Sequence, residues 1–471
     1  MTHTVEKIGG TSMSRLDELR DTLFLGGERQ SPYGRIFVVS AFGGITNLLL
    51  EHKKSGKRGV FAAFADGDEA WRESLETAAD AMVEAHRSVL SSKDDIARAD
   101  EFVAERMQGM RDCLTDLMSL CAYSHFSLSQ HMLQVREMLS GLGEAHSAFV
   151  ATLMLNRAGA KATFVDLSGW RDDGEVSLDE RINAAMEGID PSQEIPIVTG
   201  YAQCREGLMK EFDRGYSEVT FSRLAALTGA SEAVIHKEFH LSSADPNLVG
   251  HDVARKLGHT NYDVADQMSN MGMEAIHPSA AKTLRQADVP LRVTNAFQPD
   301  DPGTLIDDRP AEKPAVEMVT GLDIVALEVF EQDMVGVKGY DSAILEVLTS
   351  HGVRIVSKVS NANTITHYLD ASLKRMGGVE RDLARLYPNA EVSARPLAMV
   401  SAIGRDLGGL SVLTDGLRAL ADAGLYALGA SQGPRDVDVQ FILDRDALKD
   451  AIRALHEALI AKDRNGVAEA A

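Results

Sequence analysis

Two rhythms of apolar residues alternate along this chain. Short unbroken runs occur at Ile36-Phe37-Val38-Val39-Ser40, Ala162-Thr163-Phe164-Val165-Asp166-Leu167 and Ile195-Pro196-Ile197-Val198-Thr199-Gly200-Tyr201. Continuous apolarity of that length predicts parallel strands covered on both faces. Val5 and Ile8 bracket a shorter strand. Between these runs the apolar positions recur at helical spacing, as in Leu16, Leu19 and Leu23, in the charged and apolar interleaving of residues 51 to 130, and around Leu153, Leu155, Leu224 and Leu227. The alternation predicts an α/β domain with a mostly parallel sheet, closing with Val289-Pro290-Leu291-Arg292-Val293-Thr294-Asn295. Residues 298–315 carry Pro299, Pro302, Pro310 and Pro314 among aspartates and read as a linker. Beyond it come a strand at 322–329, a helix at 343–348, strands at 353–360 and 364–369, and a further helix. A strand at 398–403, a helix at 417–421, strands at 425–430 and 437–443, and a helix at 448–459 repeat that βαββα order.

Two strand ends carry paired glycines. The first is Val5-Glu6-Lys7-Ile8-Gly9-Gly10-Thr11-Ser12. Gly9 and Gly10 let the backbone turn with no Cβ in the way, and Thr11 and Ser12 are placed to cap the next helix. Free N–H groups, a helix dipole and room for close approach make such a turn a cradle for phosphate, and Lys7 adds a full positive charge. An ordinary strand-to-helix turn with a solvated lysine fits the same residues, and the pattern is neither a Walker A loop nor a dinucleotide fingerprint. The second, Ser40-Ala41-Phe42-Gly43-Gly44-Ile45-Thr46-Asn47, repeats the device at the carboxyl end of a strand, where open α/β sheets bind ligands; Thr46 also reads as a plain helix cap. Leu139-Ser140-Gly141-Leu142-Gly143-Glu144 places a carboxylate at the opening of a helix, where it would favour the macrodipole. In Phe212-Asp213-Arg214-Gly215-Tyr216-Ser217-Glu218 the guanidinium of Arg214 suits bidentate capture of a carboxylate.

Composition narrows the partners. A chain of 471 residues implies two or three domains, and 44% apolar with 25% charged residues is ordinary for a globular protein. The formal net charge of −22 argues against nucleic acid or an anionic membrane, so an anionic substrate needs a local positive pocket. Cys113, Cys121 and Cys204 are too few for a disulfide scaffold, and no signal-peptide pattern precedes the first strand, so a reducing cytoplasm is the expectation. The longest uncharged run, 36–50, is too short and too rich in glycine to cross a bilayer.

Lys7-Ile8-Gly9-Gly10-Thr11-Ser12 resembles the Lys-Phe-Gly-Gly-Thr-Ser signature of aspartate kinases, in the amino acid kinase family, with Ile8 in place of Phe. Ser40-Ala41 with Gly44-Ile45-Thr46-Asn47-Leu48-Leu49 is similar to a second signature, and Ser140 to Glu144 to a Ser-x-Gly-Glu motif. Arg214, Gly215 and Ser217 match a Leu-Gly-Arg-Gly-Gly-Ser-Asp motif, in which Tyr216 replaces glycine and Glu218 replaces aspartate. The departures grow beyond it. Asp245-Pro246 is kept from a nucleotide-pocket motif, but Lys237 and Asn247 replace its Asp and Arg, and Glu274 replaces a later lysine. The opposed changes at Lys237 and Glu274 suggest a swapped ion pair. His277 reads as a structural residue at a helix start. The C-terminal repeat resembles paired ACT modules, matched by Ser431-Gln432-Gly433 and Leu455-His456-Glu457, whereas the loop around Asn361 departs from the usual effector loop.

The resemblance implies a three-layer amino acid kinase sandwich with a mostly parallel central sheet, and two ACT-like α+β regulatory modules. The expected divisions are a catalytic domain at 1–297, a linker at 298–315, modules at 316–394 and 395–462, and a tail at 463–471. It implies transfer of the ATP γ-phosphoryl, as the Mg²⁺ complex, to L-aspartate. Lys7 and Glu218 would be catalytic. Lys7, Gly9, Gly10, Thr11, Ser12, Ser40, Gly43, Gly44, Ser217, Lys237, Ser242 and Asn247 would hold ATP; Thr46, Glu144 and Arg214 would hold aspartate. No residue is assigned to a resident metal. The ACT pair implies a homodimer or higher and an amino-acid effector such as threonine or lysine, and a strand near 303–306 could join the second module. The departures, with the acidic composition, resemble the aspartate kinases associated with the osmolyte ectoine; general supply of lysine, threonine and methionine is the other pathway. Two other functions stay open: a kinase for another small acid such as glutamate, and an amino-acid sensor that has lost ATP turnover.

Overall fold

Five parallel strands form the centre of the first unit: β1 (Thr4–Ile8), β2 (Arg35–Val39), β3 (Ala162–Val165), β4 (Ile195–Thr199) and β5 (Glu232–Lys237). The computed structural model describes residues 2–461 apart from 28–30, 53–54, 124, 173, 213–214, 274 and 312. Two units divide the chain, Met1–His240 with Ile276–Asp307, and Leu241–Ala275 with Asp308–Ala471.

In the first unit β1 lies between β2 and β5, with Lys7 in register with Val38 and Ile235. β4 follows β2, and β3 lies outside β4. On the other side β5 pairs with the parallel strand Leu291–Asn295, which pairs in turn with the antiparallel strand Thr304–Asp307. Val5, Ile8 and every residue of β2 and β4 are buried, as the unbroken apolar runs require. One charged cluster is built into this sheet. Glu6 on β1 accepts from Arg35 on β2 at 2.6 Å and meets His236 on β5 at 2.7 Å, so three adjacent strands share one buried carboxylate. Sequence reasoning made no strand of 232–237, because its polar residues break the apolar rhythm; the ion pair explains how His236 is buried there.

Long helices pack on the sheet: Trp71–Val89, Lys93–Cys121 and Met132–Arg157. The last is long and apolar enough to cross a membrane by length and composition, but 89% of its apolar window is buried inside the protein, as in a core helix. His146 on this helix and His86 on Trp71–Val89 are both fully buried, with His86 Nδ1 3.1 Å from His146 Nε2 and His86 Nε2 2.9 Å from Asp100. Burial holds both rings below the usual imidazole range, His146 down to about 3, with the neighbouring His86 as its second cause. A neutral buried imidazole disfavours the fold once the unfolded chain takes up protons, that is, as pH falls below about 6.5. Relative to a His146→Asn variant, the natural chain is expected to lose stability by up to about 1.4 kcal/mol per pH unit between pH 6.5 and 4. Urea unfolding of both proteins at pH 7.5 and 5 measures this, and parallel midpoints would contradict it.

The second unit holds one antiparallel sheet in the order Arg354–Ser360, Thr364–Asp370, Ala315–Phe330, Glu391–Arg405, Asp438–Asp444 and Gly429–Gln432. The two central strands, of 16 and 15 residues, are at least twice the length that the sequence rhythm suggests. Each serves both modules. Val325, Leu327 and Val329 enter a core with Ile344, Leu348 and Leu383, while Val319 enters another with Val400, Phe441 and Leu455. Thus Ala315–Phe330 and Glu391–Arg405 cross from one module to the other. The strand that joins the second module is the first half of Ala315–Phe330, whereas Thr304–Asp307 lies in the first unit beside Leu291–Asn295. Leu241–Ala275 also belongs to this unit: Val319 N–H donates to Ser243 O at 2.8 Å, and Ser243 Oγ lies 2.8 Å from His456 Nε2.

Candidate active site

The carboxyl ends of β1, β2, β4 and β5 form one edge, and the first unit's candidate residues gather there. β1 ends at Ile8, whose carbonyl accepts from Ser40 N–H at 3.1 Å; β2 ends at Val39, whose carbonyl accepts from Gly200 N–H at 3.0 Å. Each strand end is thereby tied to the loop leaving its neighbour.

The first glycine turn is built as the sequence suggests, with one difference. Gly9 is extended and opens a short helix, Gly10–Met13, with no side chain capping it. Ser12 is not a cap: it is buried, and its hydroxyl donates to Glu238 at 2.7 Å, just past β5. Thr11 is exposed on the turn. Gly10 must be bare, since a Cβ would lie 2.7 Å from Ala41 O. A Cβ on Gly9 would lie 3.9 Å from Lys7 Nζ, so the ammonium sits over the turn. Ser14 joins the two glycine turns, accepting from Gly43 N–H at 2.7 Å and donating to Gly10 O at 3.3 Å. Sequence reasoning missed Ser14, because its partner lies 29 residues away. In the second turn Gly44 takes a φ of +88° and precedes the helix Ile45–Leu49, so Thr46 is inside the helix and not its cap.

Lys7 Nζ lies 3.5 Å from Glu218 Oε1. Burial alone would raise the Glu218 carboxyl, but the charges of Lys7 and Lys237 and the His277 N–H hold it below the usual range. Lys237 and Glu218, predicted from separate motifs, therefore act on each other. His277 caps the helix Pro278–Gln286 through its Nδ1, in keeping with a structural role. Tyr216 is buried, with its ring edge-on to Tyr201 at 5.5 Å, so the bulk that replaces the motif's glycine is turned into the core.

Glu144 departs most from its sequence reading. It lies in the middle of Met132–Arg157, not in a first turn, so no helix dipole explains it. Its side chain is buried. Ser217 Oγ donates to Oε1 at 2.7 Å and the backbone N–H groups of Tyr201 and Ala41 are directed at the carboxyl, yet Oε2 closes no hydrogen bond. Burial pushes this carboxyl up to about 8, against the Ser217 bond and the Lys7 charge. A buried acceptor without a partner, near an ammonium and two glycine turns, is a place prepared for a cationic group. Gly200 makes room for it: a Cβ there would lie 2.8 Å from both Glu144 Oε2 and Ser217 Cβ. Gly200→Ala is expected to raise KM for the cation-bearing substrate about tenfold with a smaller change in kcat, because it displaces Glu144 by a fraction of an ångström. Steady-state kinetics with the folded variant decide this; an unchanged KM would rule it out.

Arg214 and Glu274 lie outside the described residues, and so does half of the suggested swapped pair. Ser242 and Asn247 belong to the second unit, where Ser242 Oγ donates to Ala244 O at 2.7 Å and Asn247 bonds Asp245. Among the described residues no group of three or more His, Cys, Asp or Glu is placed to hold a metal.

Residues 3–295 match the amino acid kinase family. The chain is 50% identical over 469 residues to "Aspartate kinase Ask_Ect" of Stutzerimonas stutzeri, covering 98% of each. It is 23% identical to the chloroplastic Aspartokinase 3 of Arabidopsis thaliana, over 98% of this chain and 82% of that one. Among solved structures, aspartokinase III of E. coli has the same fold, both in complex with lysine and aspartate and in complex with aspartate and ADP. Both superpose with a TM-score of 0.71 at 19% and 18% identity, over 97% of this chain and 99% of theirs.

Proposed function

Since the chain belongs to the amino acid kinase family and is an aspartate kinase, we propose that its carboxyl-edge site moves the γ-phosphoryl of ATP onto the β-carboxylate of L-aspartate, giving 4-phospho-L-aspartate. The observation that carries the assignment of roles is the single ammonium of Lys7, whose charge acts on both Glu218 and the buried Glu144. ATP comes as its magnesium complex, so the metal is part of the substrate. Gly9, Gly10, Thr11, Ser40, Gly43, Gly44 and Ser217 line the phosphate path, and Lys7 neutralises charge as the phosphoryl group moves. Glu218, fixed by Lys7 and the His277 N–H, keeps that ammonium oriented. Glu144 receives the substrate's ammonium, Thr46 stands beside the second turn, and Arg214 takes the substrate's carboxylate. No covalent intermediate is needed: two anions are held in line and the charge between them is neutralised.

Hydroxylamine traps an acyl phosphate as a coloured hydroxamate. With MgATP, aspartate is expected to give hydroxamate at least about tenfold faster than glutamate at equal concentration. Preference for glutamate would move the substrate assignment. Tight binding of amino acids with no hydroxamate would favour the sensor reading.

We also propose a homodimer through the second unit and an amino-acid effector there; the support is the paired ACT-like architecture. We place the enzyme in a reducing cytoplasm, in line with its three free cysteines. Its product is assigned to ectoine synthesis, on the departures at Tyr216, Glu218, Lys237 and Asn247 together with the acidic composition.

A further inference from the structure

A second cavity, of about 420 Å³, opens on the far side of Tyr201. Its volume suits a small molecule. One wall is the helix Met132–Arg157 at Glu137, Met138 and Leu142, and the opposite wall is the loop carrying Trp170. Trp170 offers a flat face, with the Arg106 guanidinium over it at 4.8 Å, and its buried indole N–H has no acceptor. The rim carries Arg205 and Lys210, neither in an ion pair among the described residues. Arg106 is already matched by Asp166 at 2.7 Å. On the acidic side, Glu137 is occupied: it accepts from the Tyr201 hydroxyl and from Met209 N–H, and burial raises its carboxyl toward the neutral form. Glu206 accepts from Leu178 N–H at 3.2 Å. Glu175 and Glu206 sit at exposed positions of the same rim, and Arg205 also acts on Glu180; with Lys210, the indole N–H and the Trp170 ring these groups make a set that fits a flat or apolar body bearing one anionic group.

From these contacts we infer that the cavity beside Tyr201 is a second ligand site, taking a small carboxylic acid whose flat or apolar body lies on Trp170 and whose carboxylate meets Arg205 and Lys210. The site is joined to the substrate pocket. Tyr201 offers its hydroxyl to Glu137 on the cavity side, and its own backbone N–H faces Glu144 on the other. Tyr201 also packs on Tyr216, next to Ser217. A ligand against Tyr201 therefore bears on the group assigned to the substrate's ammonium. That coupling rests on the kinase reading; the binding itself does not.

The test uses 4-fluorobenzoate as the probe, followed by fluorine NMR with the full-length protein and no nucleotide. The probe is expected to broaden on binding and to stay bound at saturating aspartate. The Arg205→Gln/Lys210→Gln double variant, altered only at exposed positions, should bind it about tenfold more weakly or worse. 4-Fluorobenzamidine, of the same shape and opposite charge, should bind at least about tenfold more weakly. Failure of the benzoate to bind, its displacement by aspartate, equal binding of the amidine, or full affinity in the double variant would each overturn the proposal. The signal needs no turnover, so the site can stand if the hydroxamate assay fails, and fall if it succeeds.

Discussion

Lys7→Ala is expected to lower kcat/KM for ATP by roughly a hundredfold or more, a loss on the order of 3 kcal/mol in transition-state stabilisation. The ammonium lies over the first glycine turn, 3.5 Å from Glu218. In a protein of net charge −22, the global field opposes an incoming nucleotide, so the local charge matters more than its single unit suggests. Lys237 remains in the variant and acts on Glu218, whereas the ammonium found over Gly9 is that of Lys7. The fold should survive, because Lys7 is partly exposed and its strand is held by Val5, Ile8 and the Glu6–Arg35 pair. Kinetics with circular dichroism on the same sample separate the outcomes: a folded variant with near-normal kcat/KM would remove Lys7 from the chemistry.

Glu144→Gln should have a comparable effect on the other substrate, with a pH signature. The free carboxyl titrates near 8, and it must be ionised to hold an ammonium group. Aspartate binding therefore expels a proton at neutral pH. Each pH unit below 8 should weaken apparent aspartate affinity by up to tenfold, or about 1.4 kcal/mol, with a plateau above 8. The amide cannot ionise, so the variant should show a flat profile and a KM raised roughly a hundredfold at pH 8, in the range measured for breaking a buried charge pair. Stability should move the other way. The folded pKa is raised above the unfolded value, so the natural protein loses stability as pH rises from about 4.5 to 8, and the variant does not. The variant is thus expected to bind substrate worse and melt higher at pH 8. A sloping KM profile in the variant, or a lower melting temperature at pH 8, would contradict the assignment.

Local features were legible in the sequence. Gly9, Gly10 and Lys7 are neighbours in the chain, and their geometry follows from backbone freedom and strand parity. Glu144 stood out in the sequence, but its place in the helix did not. Gly141 and Gly143 read as a helix opening because glycine is a poor helix former. They lie inside the helix because a Cβ at Gly141 would reach the Tyr201 ring at 2.9 Å, and one at Gly143 would reach Ala41 Cβ at 2.8 Å. Close packing between distant segments decided both, and a single sequence does not record it. The same holds for Ser12, whose partner Glu238 lies 226 residues away. In the second unit Pro396 hid the length of Glu391–Arg405, since proline argues against a strand interior; here it is paired with Val325 inside the sheet.

The two long strands of that sheet make the modules inseparable. A cut between Ala394 and Arg395 would leave the C-terminal fragment without Ala315–Ile324, and would leave those residues in the N-terminal fragment without Leu397–Arg405, the strand that pairs with them. The C-terminal piece would lose Val319 from its hydrophobic interior, and the N-terminal piece would carry an unpaired half-strand, so the repeat cannot be dissected into two autonomous halves or traded piecemeal by recombination. A twist imposed at one end must run down both ribbons to the other, as torque runs along a shaft.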